Sequence, residues 1–282
     1  LKNNTLFIIE ASSYQLEYSK FFKSNYSLIL NLSPDHLERH GNYKNYIKAK
    51  FKLIQNQSKN NFAYIEKKNY ILNNLIKKNR INSKIYRINY KKYQKYNKAI
   101  TNDYFKNISN FKNLSFIFAI SNDLKLSLKK IIKVANKFKQ LNFRQQIIYK
   151  SQKLIIINDS KSTSLSATLP LLESFKNIYW ILGGIAKKGD QLKLKKQNFS
   201  KIKAFIYGKD KLFFSKILSN KIKYKISKNL NYSLLKVFKD FRKNEEKKIL
   251  LFSPSAASFD QFKNFEHRGK YFNKIIQKYL KK

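Results

Sequence analysis

Glu10, His36 and Lys50 are the residues whose types and placement could do metal-centred chemistry. Glu10 closes the apolar run Leu6–Ile9, and His36 follows a second run, Leu28–Leu32, that stops at Ser33-Pro34. If both runs are strands, a carboxylate and an imidazole stand at strand ends. A hard cation such as Mg²⁺ can be held there, with water and substrate oxygens completing its shell. Lys50 is the unusual member. Tyr43, Tyr46, Ile47, Phe51 and Ile54 follow a helical period, and Lys50 falls on that apolar stripe while Lys44, Lys48 and Lys52 fall off it. Singly, each has a plainer reading: a capping carboxylate, a hydrogen-bonded strand-end histidine, a snorkelling lysine. Together they make a metal site as good a reading as the plain ones.

Three further clusters follow apolar runs. Asn158-Asp159-Ser160-Lys161-Ser162-Thr163 comes directly after Leu154–Ile157. An aspartate there can accept from ribose hydroxyls and the lysine can meet a phosphate, or the segment is a plain βα turn with Asp or Ser as N-cap. Gly183-Gly184-Ile185-Ala186-Lys187-Lys188-Gly189-Asp190 joins flexible backbone to a lysine, which suits a carboxylate or phosphate. Ser253-Pro254-Ser255-Ala256-Ala257-Ser258 follows Ile249–Phe252 and is expected to open a helix whose N-terminus faces an anion, or to use Ser258 only as the cap. The chain has no G-x-x-x-x-G-K-[ST] loop and no cysteine, and three histidines among many serines define no triad.

Alternating elements must position these clusters. The patterns predict strands at Leu6–Ile9 and Leu28–Leu32, a helix over Tyr43–Gln55, and short strands and a helix within 61–107. Leu114–Phe138 reads mostly helical. A second series then runs as strand Leu154–Ile157, helix Ser164–Ser174, strands Ile178–Leu182 and Ala204–Tyr207, and a helix from Lys209. Strand Ile222–Ile226, helix Tyr232–Arg242, strand Ile249–Phe252 and a terminal helix complete it. Such alternation means parallel α/β sheets, with ligands beyond the strands' carboxyl ends, and the change of pattern places a domain boundary near Gln140.

Composition narrows the classes. The 60 basic and 16 acidic residues give a formal charge of +44, but the lysines are spread along the chain among Asn, Ile, Tyr and Phe, as on a solvated surface. Tyr86–Lys98 (YRINYKKYQKYNK) interleaves bases with aromatics and is the best nucleic-acid candidate; it fits a twisted surface hairpin equally well. No apolar run approaches the ~20 residues of a membrane span. The absence of cysteine fits a reducing cytoplasm. Leu1 at the first position, with no methionine anywhere, leads to the expectation of a piece whose N-terminus lies upstream.

EASSYQLE, NLSPDHLERHG with YIKAK, NDSKST, GG-x-x-K and SPSAASFDQFKNFEHRG occur in that order. In this they resemble the Mur ligases, and among them the branch that adds D-glutamate to UDP-N-acetylmuramoyl-L-alanine. The resemblance runs from Thr5 to Phe272. It implies that residues 1–140 are the C-terminal part of a P-loop-type central ATPase domain, without its phosphate loop. Residues 141–282 would then be a Rossmann-like α/β C-terminal domain that binds the amino acid and nucleotide. The implied reaction uses ATP and Mg²⁺: the alanyl carboxylate is phosphorylated and the amine of D-glutamate attacks the acyl phosphate. By resemblance Glu10 and His36 hold Mg²⁺, joined by Lys50 once carbamylated, and the three form the catalytic set. Asn113, Arg144, Asp159 and Lys161 match the ATP site. Gln15 and Ser12 match contacts to the UDP-substrate, and Thr163, Lys187, Ser258, Phe259 and Phe265 match the D-glutamate pocket. Phe143 and Gln146 stand where the family often has His and Glu, so the adenine side is expected to differ; Ser109 replaces a usual histidine, and Ser255 a cysteine or small residue.

The resemblance further implies a cytoplasmic protein of peptidoglycan synthesis, monomeric at full length, with no specific nucleic acid and no membrane. A non-catalytic remnant, or a basic nucleic-acid-binding module on the same fold, is the alternative. A folylpolyglutamate-type ligase fits the glutamate-pocket segments less well. Without a phosphate loop, these 282 residues alone are expected not to hydrolyse ATP productively.

Overall fold

The computed structural model of the chain describes residues 5–241 and 246–280. Leu1 and Arg242, the expected opening residue and the expected end of a helix, lie outside the described residues. The chain divides into two compact units, Leu1–Thr101 with Phe111–Asn136, and Asn102–Asn110 with Lys137–Lys282.

In chain order the first part holds α1 (Ser13–Tyr18), β1 (Tyr26–Ile29), α2 (Leu37–His40), α3 (Tyr43–Gln55), β2 (Phe62–Glu66), α4 (Tyr70–Lys78) and β3 (Lys84–Ile88). Two 3₁₀ segments, Tyr90–Ala99 and Asp103–Lys106, lead to α5 (Ile108–Asp123) and α6 (Leu128–Lys137). β1, β2 and β3 form a parallel sheet in that order. Because side chains alternate along a strand, Ala63 and Ile65 of β2 pack under Phe51 and Ile54 of α3. Tyr64 points to the other face and meets Phe116 and Ala119 of α5. α3 has the predicted bounds: Asn42 caps it by accepting from the Asn45 N–H at 2.9 Å, and its stripe buries Tyr46, Phe51 and Ile54.

Two expectations fail here. Leu6–Ile9 is not a strand. Among the described residues no ladder reaches it, and its side chains are 58–92% exposed; an apolar run cannot make a strand without a neighbouring edge to bond. Tyr86–Lys98 is no hairpin either: β3 ends at Ile88 and the chain turns into 3₁₀ helix, with Asn89 accepting from the Lys91 N–H.

The second series is β4 (Gln146–Lys150), β5 (Leu154–Asn158), α7 (Leu165–Ser174), β6 (Ile178–Gly183), β7 (Ile202–Tyr207), α8 (Lys211–Leu218), β8 (Lys223–Ile226), α9 (Leu230–Phe241), β9 (Lys248–Phe252) and α10 (Phe265–Leu280). The sheet order is β4-β5-β9-β6-β7-β8, parallel except for β4, which pairs antiparallel with β5. The alternating reading is therefore right in class, although it misses the edge strand β4. β6 and β9 are buried along their whole length, as central strands covered on both faces must be. Trp180, Ile206 and Leu251 face one core; Tyr179, Phe205 and Phe252 face the other. Each fully buried side chain of this size contributes roughly 1.5–3 kcal/mol.

The order of strands matters for the site. The chain leaves β5, skips a place to β6, and returns last to fill that place with β9. The loops after β5, β9 and β6 are consequently neighbours at one end of the sheet.

Candidate functional site

In the first unit, α1 and α2 bring their ends to the start of α3. Ser12 and Gln15 form a capping box, Gln15 N–H donating to Ser12 Oγ at 3.2 Å and Ser12 N–H to Gln15 Oε1 at 2.8 Å. The two expected substrate contacts thus fix each other. His36 has a left-handed backbone (φ 52°) at the start of α2, which turns its ring back toward α1. Its Nδ1 lies 3.0 Å from the Tyr14 hydroxyl and its Nε2 3.5 Å from Asp35 Oδ2. His40 is buried, with Nε2 3.0 Å from Ser13 Oγ and Nδ1 3.7 Å from Glu17 Oε2, so it ties α2 to α1.

Lys50 does lie inward, with Nζ 5.5 Å from the centre of the Tyr46 ring. Burial pushes its ammonium pKa down, while the carboxylates of Asp35 and Glu10 pull it back up. Burial, with Asp35 adding to it, raises the Tyr46 phenol to about 12. Among the described residues no three His, Asp or Glu side chains are grouped to hold a metal unaided. A Mg²⁺ ion here would therefore need further oxygen donors, of the kind a carbamate on Lys50 or a substrate phosphate supplies. Asn113 is exposed on α5 in this unit.

In the second unit the turn after β5 is sealed. Asp159 is 4% exposed; its Oδ1 accepts from the Gln145 N–H at 3.0 Å and its Oδ2 from Ser253 Oγ–H at 2.7 Å. Desolvation pushes its pKa up to about 7 in spite of those bonds. Hydroxyl contacts continue from Ser253 to Thr168 at 2.7 Å, and from Thr168 to Ser255 at 2.6 Å and Ser162 at 2.8 Å. Arg268, fully buried on α10, donates to the Ser160 carbonyl at 2.8 Å, the Ser160 hydroxyl at 3.1 Å and the Ala256 carbonyl at 3.0 Å. Ser160 in turn donates to the Phe265 carbonyl at 2.8 Å. Lys161 stands over the Phe265 ring, 5.3 Å from its centre.

The loop after β6 joins this group by backbone. Gly183 N–H donates to the Pro254 carbonyl, and Ile185 and Ala257 exchange a pair of bonds. Gly183 and Gly184 both sit at φ 135°, and a Cβ there would meet the Tyr207 carbonyl oxygen at 1.9 Å and the Ala257 carbonyl oxygen at 2.3 Å. Lys161, Phe265, Ser258 and Lys187 are thereby carried on contiguous loops, with Lys187 half-buried and Thr163 and Arg144 exposed.

Ser258 is 3% exposed and does not open a helix. Its carbonyl takes the Gln261 and Phe262 N–H groups in a turn, and α10 begins only at Phe265. The expected anion site at a helix start is therefore absent at Ser258. Phe259 is 71% exposed. Ser164, not Asp159, caps α7. Phe143 has a physical reason for being apolar: its ring is buried against Gly269, where a Cβ would clash at 2.3 Å, and Gln146 accepts from its N–H at 3.1 Å.

Sequence reasoning missed Tyr14, His40, Thr168 and Arg268. His40, one of three histidines, and Arg268, an arginine within an otherwise apolar face of the last helix, carried a signal.

Comparison with known proteins agrees with the fold. The family described as "Mur ligase middle domain" matches residues 1–143. A UDP-N-acetylmuramoylalanine–D-glutamate ligase of Rickettsia bellii is 33% identical over 291 residues, covering 95% of this chain and 64% of the relative. One from a Hydrogenobaculum species is 32% identical over 281 residues, covering 96% of this chain and 67% of the relative. Among solved structures, the MurF ligase of Thermotoga maritima in complex with ADP shares the fold with a TM-score of 0.64 at 14% identity, covering 95% of this chain and 66% of that one. The UDP-N-acetylmuramate-alanine ligase MurC of the same organism gives 0.57 at 17% identity, covering 95% of this chain and 62% of that one. The chain spans 64–66% of the length of the first three curated relatives it matches. It belongs to the Mur ligase family.

Proposed function

We propose that this chain is part of an enzyme of peptidoglycan precursor synthesis that uses ATP to join D-glutamate to UDP-N-acetylmuramoyl-L-alanine in the cytoplasm. One observation carries the reading: a half-buried Lys50 amine, its pKa lowered by burial, within reach of the charges of Glu10 and Asp35. Relatives named for this reaction support the choice of substrates. In this reading residues 1–140 are the latter part of the central ATPase domain and 141–282 the C-terminal domain.

The alanyl carboxylate takes the γ-phosphoryl group and ADP leaves; the amine of D-glutamate then attacks the acyl carbon, forming the amide and releasing phosphate. Glu10, His36 and a carbamate on Lys50 would hold Mg²⁺, which supplies charge neutralisation on the phosphates. Tyr14 and Asp35 orient the His36 ring. Asn113, Arg144 and Lys161 bind the nucleotide. Asp159, sealed as it is, acts by holding the loops that carry Lys161 and Ser258. Gln15 and Ser12 meet the UDP-substrate. Thr163, Lys187, Ser258, Phe259 and Phe265 form the D-glutamate pocket, with Lys187 pairing a carboxylate.

The test is ADP release by the product of the whole open reading frame. Release should require both UDP-N-acetylmuramoyl-L-alanine and D-glutamate, and the 282-residue chain alone should release none. Release that ignores D-glutamate would refute the reading.

A further inference from the structure

The first unit contains a cavity of about 430 Å³, none of whose lining residues belongs to the Glu10–His36–Lys50 group. It lies among β2, β3, the Tyr90–Ala99 segment and the last turn of α5, so it includes the basic and aromatic stretch that the proposed ligase leaves without a role. Its size falls within the range of small-ligand pockets. Two aromatic stacks wall it. Tyr64 lies on Tyr86, ring centres 5.2 Å apart and 13° from parallel, and Tyr93 on Phe118 at 5.8 Å and 14°.

The polar groups narrow the ligand. Asp123 accepts a hydrogen bond from the fully buried Tyr64 hydroxyl and lines the cavity. A carboxylate only accepts, so whatever meets its remaining lone pairs must bring donors. Arg87 and Lys92, both exposed, stand among the lining residues. Among the described residues Arg87 gives its Nε to Asn73, at 2.8 Å, and the rest of its fork can meet a ligand. A bare hydrocarbon ring would leave Asp123 facing apolar surface without a donor. An organic cation would suit aromatic walls, but two bases at the cavity and a chain charge of +44 repel it. A flat ring with N–H donors on one edge and an anion on its tail satisfies every group.

We propose that this cavity is a nucleotide site distinct from the proposed phosphoryl-donor site. It takes a purine against the aromatic walls, the purine N–H edge on Asp123 and the phosphate toward Arg87 and Lys92. Guanine fits best, because its N1–H and N2–H₂ present two adjacent donors where adenine presents one amino group. The donor can be a free mononucleotide or a base of single-stranded RNA, which share this chemistry.

The experiment is isothermal titration of the 282-residue chain with GMP, with AMP, with a guanosine tetraribonucleotide and with choline. Saturable GMP binding is expected, tighter than AMP and weakened by salt. Asp123→Asn should weaken it about tenfold or more, the loss of a charge-assisted bond. Lys92→Glu, at an exposed position, should weaken it severalfold without disturbing the core. Asp159→Asn, in the second unit, should leave it unchanged. Tighter binding of the tetranucleotide with the same dependence on Asp123 and Lys92 would support the site and assign RNA as the source. No saturable GMP heat, GMP binding indifferent to both first-unit variants, loss only in Asp159→Asn, or choline binding better than GMP would each overturn the proposal. Because Asp159 lies in the other unit, these outcomes separate failure here from failure of the ligase reading.

Discussion

Burial drives Lys50 in the first unit and Asp159 in the second toward their neutral forms, and the surroundings of the two differ. Lys50 is half-buried, which depresses its ammonium pKa against the pull of the Asp35 and Glu10 carboxylates, and small reactants can reach it. Asp159 is closed off at 4% exposure, with both oxygens engaged and a chain of hydroxyls behind it. A desolvated amine that solvent can reach is a nucleophile in waiting; a desolvated carboxylate that solvent cannot reach is a joint between loops. In the proposed ligase the first would serve chemistry, while the second would hold the loops that carry Lys161 and Ser258.

That contrast fixes what should break each region. The joint in the second unit depends on backbones packed too closely for any Cβ, so Gly184→Ala should have the largest effect. It would drive a methyl into the Ala257 carbonyl oxygen at 2.3 Å from a backbone at φ 135°. We expect a loss of about 3 kcal/mol or more, enough to unfold a marginal domain. The single tryptophan, Trp180, lies in β6 of this unit with its indole N–H on the Ser253 carbonyl at 2.8 Å, so its fluorescence in a urea titration reports on the joint. An unchanged midpoint would mean that the loops after β6 and β9 do not depend on each other.

The same probe tests the sealed carboxylate. The folded state holds the Asp159 pKa at about 7, above the ~3.9 of an unfolded aspartate. The folded state then binds more protons between those values, so this contribution is complete below pH ~4 and is lost as pH rises through about 7. Stability should fall by up to about 1.4 kcal/mol per pH unit across that window. Asp159→Asn should remove this slope. A wild-type stability that rises over the same range would show that Asp159 is not sealed.

What could be read from residues alone follows the same division. The period of Tyr43–Gln55 gave α3 to the residue and put Lys50 on its inner face, because a helix stripe is a local property. The strand runs from Leu154 onward were equally legible, since buried parallel strands are continuous apolar segments. Adjacency was not legible. Nothing in the order β5, β6, β9 says that β9 inserts between the other two, and that insertion is what gathers Lys161, Ser258 and Lys187. Leu6–Ile9 failed for the same reason: its pattern is that of a strand, but pairing needs a partner edge that no local signal can provide. The enclosure of Asp159 was not legible either, because Ser253, which donates to it, and Thr168, next in the hydroxyl chain, are distant in sequence.

The smallest expected effect is also the sharpest test of the contrast. If Lys50 is the reactive partner, the neutral amine should add CO₂: nitrogen bonds to carbon, a proton leaves, and a carbamate remains. In ¹³C-bicarbonate the chain should show one slowly exchanging carbamate resonance that disappears in Lys50→Met. The same substitution removes a partly desolvated cation from an apolar stripe and replaces it with a side chain of similar length, so α3 should gain about 0.5–1 kcal/mol. Slower hydrogen exchange of the α3 amides would register that gain. Asp159→Asn offers no such bargain, because its oxygens bond a backbone N–H and a hydroxyl that the new amide must still satisfy. A stabilising, adduct-free Lys50→Met would show that the first unit keeps a strained cation for its chemistry. A destabilising one would make Lys50 a structural side chain and erase the distinction between the two regions.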